Sequence, residues 1–352
     1  MQVGKRDQAQ EAGDNSINYQ AGKDIHVHGI SIDEARTVAL DVFRSNALEL
    51  AGVAQTLALA RAEQLTNEFL TKLETEIPER VDKLADPDVQ SVVFQAQREF
   101  ARSGEDDLRV ALVDLLATRV GEDDRNLRTL ALNEAISSAP KLTEQQRRAI
   151  AWVFYLRYTR ATNLGTPEEY YVRLKNEVSA LGVSVPTGYA DYQHIEYVGA
   201  GSLGLNSPSF ASVVKSGVEG FYTNGFTVSD IDSVLLAELL ERRFVIPALR
   251  DSSHFQFNLI ADEELETQAV ENGLEGQLQD LENLVNLGRM SEDEVVNEVI
   301  AKVPELTPLR DIWDNSKTGL RSLTLTSVGL ALGHAYWSRL TGSTASLKLW
   351  LP

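Results

Sequence analysis

The sequence contains no cysteine, and this absence removes several kinds of chemistry. Disulfides, thiolate nucleophiles and the usual cysteine-based zinc sites are excluded, and a chain without cysteine fits a reducing compartment. Basic residues are also scarce, since 33 Lys and Arg stand against 52 Asp and Glu, which gives a formal net charge of −19. Such a charge repels phosphate backbones and anionic lipid surfaces, so we do not expect nucleic-acid binding.

Long apolar runs are missing as well. No window of about 18 residues is apolar and free of charge, so no transmembrane segment is predicted. The first 28 residues are polar and lack the apolar core of a signal peptide, which favours a cytoplasmic location. Hydrophobic residues make up 43% and charged residues 24% of the 352 residues, as in ordinary globular proteins. A chain of this length exceeds a typical single domain, so a second domain or lobe is expected.

Residues 1–30 differ in composition from the rest of the chain. Two short β-prone runs, residues 17–20 and 25–28, are separated by an Ala-Gly-Lys-Asp turn, and this pattern predicts a β-hairpin. An isolated hairpin is marginally stable in water and needs a partner surface, so we interpret it as an association segment, with a flexible tail as the alternative. The side chains expected to make contacts between copies are Asn15, Ile17, Asn18, Tyr19, Gln20, Ile25 and Val27.

Residues 31–182 are predicted to form a helical domain with a long first helix. Ser31 and Glu34 have the spacing of a capping box, and apolar residues then recur every three or four positions up to Pro78. Such a helix would extend for on the order of 65 Å. Because a small domain cannot cover a helix of that length, we expect it to kink near Gly52 or to pack against another chain.

Capping residues predict the helices that follow. Asp86 begins one helix and Gly104 ends it, while Thr143 and Thr166 begin two others. The first half of the chain is therefore expected to be a helical bundle with short connections. Residues 183–228 are rich in Gly, Ser and Pro, and we interpret them as a loop-rich linker or insert.

Residues 229–352 are predicted to form a second α-rich lobe with a terminal strand. Between residues 260 and 298 there are twelve acidic residues and one basic residue, Arg289, which indicates an amphipathic acidic helix or helix pair. The alternation at Phe255 and Phe257 predicts a brief strand, and residues 346–351 alternate as a final strand. The expected fold class is mainly α: a helical bundle with a short N-terminal β-hairpin and minor C-terminal β-strands.

One glycine motif has the spacing of a dinucleotide-binding fingerprint. Gly199, Gly201 and Gly204 form G-x-G-x-x-G, and residues 195–198 before it have the composition of a strand. The fingerprint also needs a helix directly after the glycines, and Pro208 interrupts the expected helix. We therefore interpret the motif as a glycine loop and predict no nucleotide cofactor.

The five histidines give no catalytic or metal site by their spacing. His26 and His28 share one predicted strand face, but a stable metal site needs a third or fourth ligand. His194, His254 and His334 are scattered, and we interpret them as packed or surface residues. Carboxylate pairs are too common among 52 acidic residues to indicate catalysis, and the catalytic motifs of serine hydrolases, P-loop enzymes and zinc proteases are absent. No catalytic residue, cofactor or metal is predicted.

Several motifs resemble those of an uncharacterised bacterial family of the LPO/Vpar type. Near the N-terminus these are Gly13-Asp14-Asn15-Ser16 and Gln20-Ala21-Gly22, and near the C-terminus they include Leu325-Thr326-Ser327-Val328-Gly329. The resemblance spans nearly the whole chain and implies no established activity. The opening Gly-Asp-Asn-Ser tract is also similar to N-terminal segments of bacterial signalling or phage-defence proteins, and this similarity implies an association role.

The preferred hypothesis from the sequence is a non-enzymatic, self-associating bacterial interaction protein, a sensor or scaffold in anti-phage defence. It is expected to be a homo-oligomer, with a possible protein partner supplied by a neighbouring gene. The first alternative is an enzyme with a site near residues 183–226 or against His254 and His334. The second is a peripheral lipid-binding protein that uses the apolar segments at residues 210–226 and 328–337.

Overall fold

The computed structural model describes residues 31–46, 52–122, 125–161, 163–205 and 207–352. The predicted N-terminal hairpin lies outside these residues. So do His26, His28 and the side chains predicted to associate, which are Asn15, Ile17, Asn18, Tyr19, Gln20, Ile25 and Val27.

The described chain is mainly α-helical, as predicted, and its few strands are only three residues long. The helices are α1 (Ile32–Asn46), α2 (Gly52–Glu76), α3 (Pro87–Ser103), α4 (Asp106–Val120), α5 (Leu127–Ser138), α6 (Glu144–Tyr158), α7 (Pro167–Leu181), α8 (Tyr189–Tyr197), α9 (Phe210–Lys215), α10 (Ser233–Glu241), α11 (Glu264–Glu271), α12 (Leu278–Leu287), α13 (Glu292–Lys302), α14 (Thr307–Asp314) and α15 (Ser327–Thr341). The strands are β1 (Gly201–Leu203), β2 (Val245–Pro247), β3 (Phe255–Phe257) and β4 (Leu323–Leu325). They form two antiparallel pairs, β1 with β4 and β2 with β3.

The helix starts predicted from local sequence are confirmed. The Ser31 hydroxyl accepts a hydrogen bond from the Glu34 amide, and the Glu34 carboxylate accepts one from the Ser31 amide. Asp86 caps α3, Thr143 forms a capping box at α6, and Thr166 caps α7. Each of these signals acts within about four residues, so it does not depend on the tertiary fold.

The predicted long first helix is divided into two. Helix α1 ends at Asn46, α2 begins at Gly52, and Gly52 has a φ of +49° in the left-handed region that favours glycine. An interruption near Gly52, one of the two outcomes expected from the sequence, is therefore what occurs. Helix α1 packs on α2 and α3, where Phe43 lies in a small apolar cluster with Ala58 and Ala62.

Helices α6 and α15 form the centre of the main hydrophobic core. Ten of the fifteen residues of α6 are buried, including Trp152 and Phe154, and α15 packs along it. Gly333 of α15 permits this contact, because a Cβ there would lie 2.6 Å from the Cβ of Phe154. Helices α4, α5 and α7 also pack on α15, so the bundle surrounds this helix.

Residues 183–226 contribute helices and buried side chains to the same core. Tyr192 and Ile195 of α8, Phe210 of α9 and the following Tyr222 are buried in it. The pairing of β1 with β4, in which Gly201 lies opposite Leu325, connects this segment to the start of α15. Buried side chains of this segment therefore lie in the same core as the helical bundle, and its interpretation as a linker or insert stays a prediction.

A second hydrophobic cluster is built from residues 226–284. It includes Phe226, Leu239, Phe244 and Leu281, and it holds the β2–β3 pair, so the brief strand predicted at Phe255 is confirmed. Residues from Met290 onward belong again to the main core. The domain boundaries at residues 30, 182 and 228 stay a prediction.

The predicted final strand at residues 346–351 is wrong. Ser346 caps a single 3-10 turn, Leu347–Leu349, and the buried residues Leu347 and Leu351 are four positions apart, as on one face of a helical turn. Arg128 donates a hydrogen bond to the carbonyl of Leu351 over 2.5 Å, and the Trp350 indole donates one to the carbonyl of Tyr158. These hydrogen bonds between side chains and backbone carbonyls hold the segment on the bundle, in place of pairing with a neighbouring strand.

Candidate functional site

A cavity lies between the C-terminal ends of α2 and α4, the C-terminal half of α15 and the segment that follows α15. Its volume is about 1230 Å³, including the space open to solvent. The polar side chains that line it come from all three helices and from the segment at residues 343–347. They include Lys72, Glu76, Asp114, Thr118, His334, Ser338 and Arg339.

Lys72 lies between two carboxylates at one side of the cavity. Its ammonium is 2.7 Å from the Glu76 carboxylate and 3.3 Å from Oδ1 of Asp114. Burial lowers the pKa of Lys72, but the two carboxylates outweigh it and the net shift is upward. Burial raises the pKa of Asp114 despite the neighbouring ammonium, and its Oδ2 is a buried atom without a hydrogen-bond partner. One ammonium therefore serves two carboxylates, and it leaves one oxygen of Asp114 without a hydrogen bond.

Arg339 also lines the cavity. Its guanidinium donates to Oδ1 of Asp107 over 2.7 Å and lies over the ring of Tyr336 at 5.0 Å. Asp107 also contacts Arg147 at 3.3 Å, so its carboxylate is shared by two guanidinium groups. The adjacent Ser338 hydroxyl is buried without a hydrogen-bond partner.

His334 connects α15 to the wall of the cavity. Its Nε2 donates to the carbonyl of Ala345 over 2.7 Å, and its ring packs between Phe154 and Trp350. Burial lowers the pKa of His334, although the bond to Ala345 acts in the opposite direction. A neutral imidazole that donates Nε2–H to a backbone carbonyl holds the segment at residues 343–347 in place.

The other described histidines lie apart from this cavity. His194 bonds to the carbonyl of Lys141 over 2.8 Å, and His254 lies 3.3 Å from the Asp251 carboxylate in a turn. No hydrogen bond, ion pair or ring contact joins either of them to His334. Across the ranges that the structure describes, no group of three or more His, Asp and Glu side chains is placed to hold a metal ion.

The G-x-G-x-x-G motif forms a close contact between backbone segments. Residues 195–197, which had the composition of a strand, belong instead to α8. Gly199 follows with a φ of +84°, and a Cβ on Gly201 would lie 2.9 Å from the carbonyl oxygen of Thr324. No helix begins directly after Gly204, where a dinucleotide fingerprint would need one. These features fit the interpretation as a glycine loop.

An exposed apolar stripe runs along the first turns of α2. Val53 is 86% exposed and Leu57 is 50% exposed, and the exposed Ala60 continues the stripe at helical spacing. Residues 52–60 contain no charged side chain, although 24% of the whole chain is charged. In the sequence the stripe follows residues 47–51, which are outside the described ranges.

The two apolar segments considered for lipid binding are packed inside the protein. Phe210, Val214 and Phe221 are buried in the main core, as are Leu332 and Trp337 of α15. Among the helices that the structure describes, none combines the length and the apolar character needed to cross a membrane.

The sequence analysis missed the charged residues of the cavity. Lys72 and Glu76 are separated by one helical turn, which is the spacing of an ordinary surface pair. Asp114 carried a stronger signal, because it is a single carboxylate inside the apolar run of residues 110–117. A lone charge in such a run indicates either a partner or a cavity.

Comparison with known proteins gives a family without a known activity. No curated protein and no solved structure matches the chain. The model of one protein family, whose description names no activity, matches residues 29–351, which is nearly the whole chain. The chain belongs to this uncharacterised family.

Proposed function

We propose that the protein is a non-enzymatic interaction protein that associates with copies of itself through residues 1–30 and the exposed stripe of α2. The observation that carries the proposal is the stripe of Val53, Leu57 and Ala60, which is apolar, solvent-exposed and free of charge. Exposed apolar residues grouped on one helix face are typical of protein contact surfaces.

Charge favours this location for a contact between copies. Each copy carries a formal charge of −19, so two copies repel each other over most of their surfaces. Residues 52–60 contain no carboxylate, and they allow apolar contact without placing like charges opposite each other. The acidic helices α11 and α12 are unsuited to such a contact.

The free energy of apolar burial is too small for the stripe to hold two copies together by itself. Burial of the exposed Val53 side chain contributes about 1.5–3 kcal/mol, and the half-buried Leu57 adds about half as much. Association costs about 4–15 kcal/mol in lost translational and rotational freedom. A stable oligomer therefore needs a second contact, and the β-prone segment at residues 17–28 is the candidate in the sequence.

Light scattering on the full chain tests self-association. We expect an oligomer for the full chain, and fewer copies per particle both for a chain that begins at Ser31 and for Val53→Glu/Leu57→Glu. The control is Val172→Glu on α7, which changes an exposed valine elsewhere and is expected to leave the oligomer unchanged. A monomer for each of the four proteins would contradict the proposal.

Antiviral defence is the biological role that we propose for this assembly. The support is the resemblance of the N-terminal tract to association segments of phage-defence proteins, together with the resemblance of the chain to a bacterial family of the LPO/Vpar type. In that role the protein is a cytoplasmic sensor or scaffold, and a neighbouring gene supplies the effector. Deletion of the gene should raise the plating efficiency of at least one phage, and unchanged plating for a broad phage panel would count against the role.

The enzyme alternative has less support from the contacts at the cavity. His334 lines it, but its Nε2–H is engaged by the carbonyl of Ala345 and its ring packs between aromatic side chains. A general base must reach the proton that it removes. The cavity favours binding over catalysis.

A further inference from the structure

We propose that the cavity between α2, α4 and α15 binds a small aliphatic amine through the carboxylates of Glu76 and Asp114. This binding site is independent of self-association, since the stripe of Val53, Leu57 and Ala60 does not line the cavity. Three observations carry the proposal: the balance of charge, the incomplete pairing of the carboxylates and the composition of the wall.

The charge balance favours a cation. Lys72 and Arg339 contribute two positive charges to the cavity, whereas Glu76, Asp114 and the Asp107 carboxylate behind Arg339 contribute three negative charges. The remaining partner of Asp107 is Arg147, and that guanidinium is also paired with Glu105, so this pair leaves the balance unchanged. The formal charge of −19 on the whole chain further raises the local concentration of cations.

The carboxylates retain capacity to accept hydrogen bonds. Lys72 approaches Asp114 at 3.3 Å, which is longer than the 2.7 Å contact with Glu76. Oδ2 of Asp114 is buried and has no hydrogen-bond partner, and the Glu76 side chain, which lines the cavity, is 53% exposed. A ligand ammonium can take the place of the Lys72 ammonium between the two carboxylates when the flexible Lys72 side chain turns toward solvent.

The remaining wall suits an aliphatic chain with a second polar end. Ile77, Ala117 and Leu347 supply apolar surface, and Ser343, Thr344 and Ser346 in the segment after α15 supply hydroxyl groups. Methylene groups pack on the apolar surface, and the hydroxyl groups accept hydrogen bonds from a distal ammonium. The bond between His334 and Ala345 holds this wall in place before any ligand enters.

Titration calorimetry of the full chain with putrescine tests the site. The diol of the same chain length is the ligand control, since it has the same shape without the charges. We expect putrescine to bind with one site per chain and the diol to give no heat. Asp114→Asn, which keeps the side-chain shape, should weaken putrescine binding by about tenfold or more.

Two further variants separate the site from general attraction of cations. Lys72→Met should tighten putrescine binding by about tenfold, because it frees both carboxylates; this gain cannot arise from a failure to fold. Glu266→Gln removes one exposed carboxylate on α11 and should leave the affinity unchanged. The proposal is overturned by equal binding of diol and diamine, by no binding of putrescine, by equal weakening in Asp114→Asn and Glu266→Gln, or by loss of affinity in Lys72→Met.

Discussion

Replacing Gly329 with alanine tests the contact between the start of α15 and the glycine loop at residues 199–201. An alanine Cβ at position 329 would lie 1.7 Å from the carbonyl oxygen of Ala200. A carbon and an oxygen normally stay about 3.3 Å or more apart, so the helix or the loop must move by about 1.6 Å. The same carbonyl accepts a hydrogen bond from Thr326, the residue that caps α15.

The expected change in the free energy of unfolding combines two losses and one gain. Overpacking of this kind costs about 1–3 kcal/mol. Moving the loop also disturbs the cap, because the Thr326 hydroxyl donates to the carbonyl of Gly199 over 2.6 Å, and loss of a cap costs about 1 kcal/mol. Alanine is a better helix former than glycine by about 1 kcal/mol. The net expectation is a loss of about 2 kcal/mol in the free energy of unfolding.

Urea denaturation followed by tryptophan fluorescence measures this loss. The buried Trp152, Trp313 and Trp337 report on the main core. Gly276→Ala is the matched control, because its new Cβ meets no atom within 4 Å and its φ is not in the left-handed region. That control is expected to change stability by less than about 0.5 kcal/mol. The reasoning is refuted if Gly329→Ala is as stable as the parent or if both variants lose the same amount.

Two other substitutions test buried charges. Arg128→Met leaves the buried Glu122 carboxylate without its partner at 2.6 Å, so thermal denaturation should report a loss of about 3 kcal/mol in the free energy of unfolding. The exposed Arg98→Met is the control and should lose less than about 0.5 kcal/mol. Similar losses for both variants would contradict the role of the Arg128–Glu122 pair. For Glu177, burial raises the pKa, and this outweighs the Trp337 hydrogen bond and Arg173, which act in the opposite direction. Since the folded state holds the proton of Glu177 more tightly than the unfolded state, the free energy of unfolding falls as pH rises through the range in which Glu177 ionises. In urea titrations, Glu177→Gln should therefore be more stable than the parent at about pH 8 and equal to it at about pH 3. The same difference in stability at both pH values would exclude titration of Glu177 as the cause.

Local signals explain why the helical fold class and the helix starts were predictable. Ser31 and Glu34, or Thr143 and Gln146, form their capping contacts within three residues of each other. The brief strand at Phe255 was also visible as an alternation of apolar and polar residues. The strand predicted near the C-terminus failed because alternation does not reveal whether a free strand edge lies nearby, and here Ser346 caps a helical turn instead.

The candidate site depends on contacts between residues that are distant in the sequence. Lys72 meets Asp114 only because α2 packs on α4, and His334 reaches Ala345 only because the chain turns back after α15. Asp114 was recognisable as an isolated charge in an apolar run, but its partner was not. The interruption of the first helix near Gly52 was expected, whereas the covering of α2 by α1 was not.

Composition and short-range patterns establish that this chain is acidic, free of cysteine and helical, because charge, redox chemistry and helix caps depend on residue types and on neighbours within one or two turns. The location of the cavity, the burial of residues 210–226 and the anchoring of the C-terminal segment follow from packing. Each of these features is set by which apolar faces meet, and the free energy of that choice is shared among side chains from many parts of the sequence.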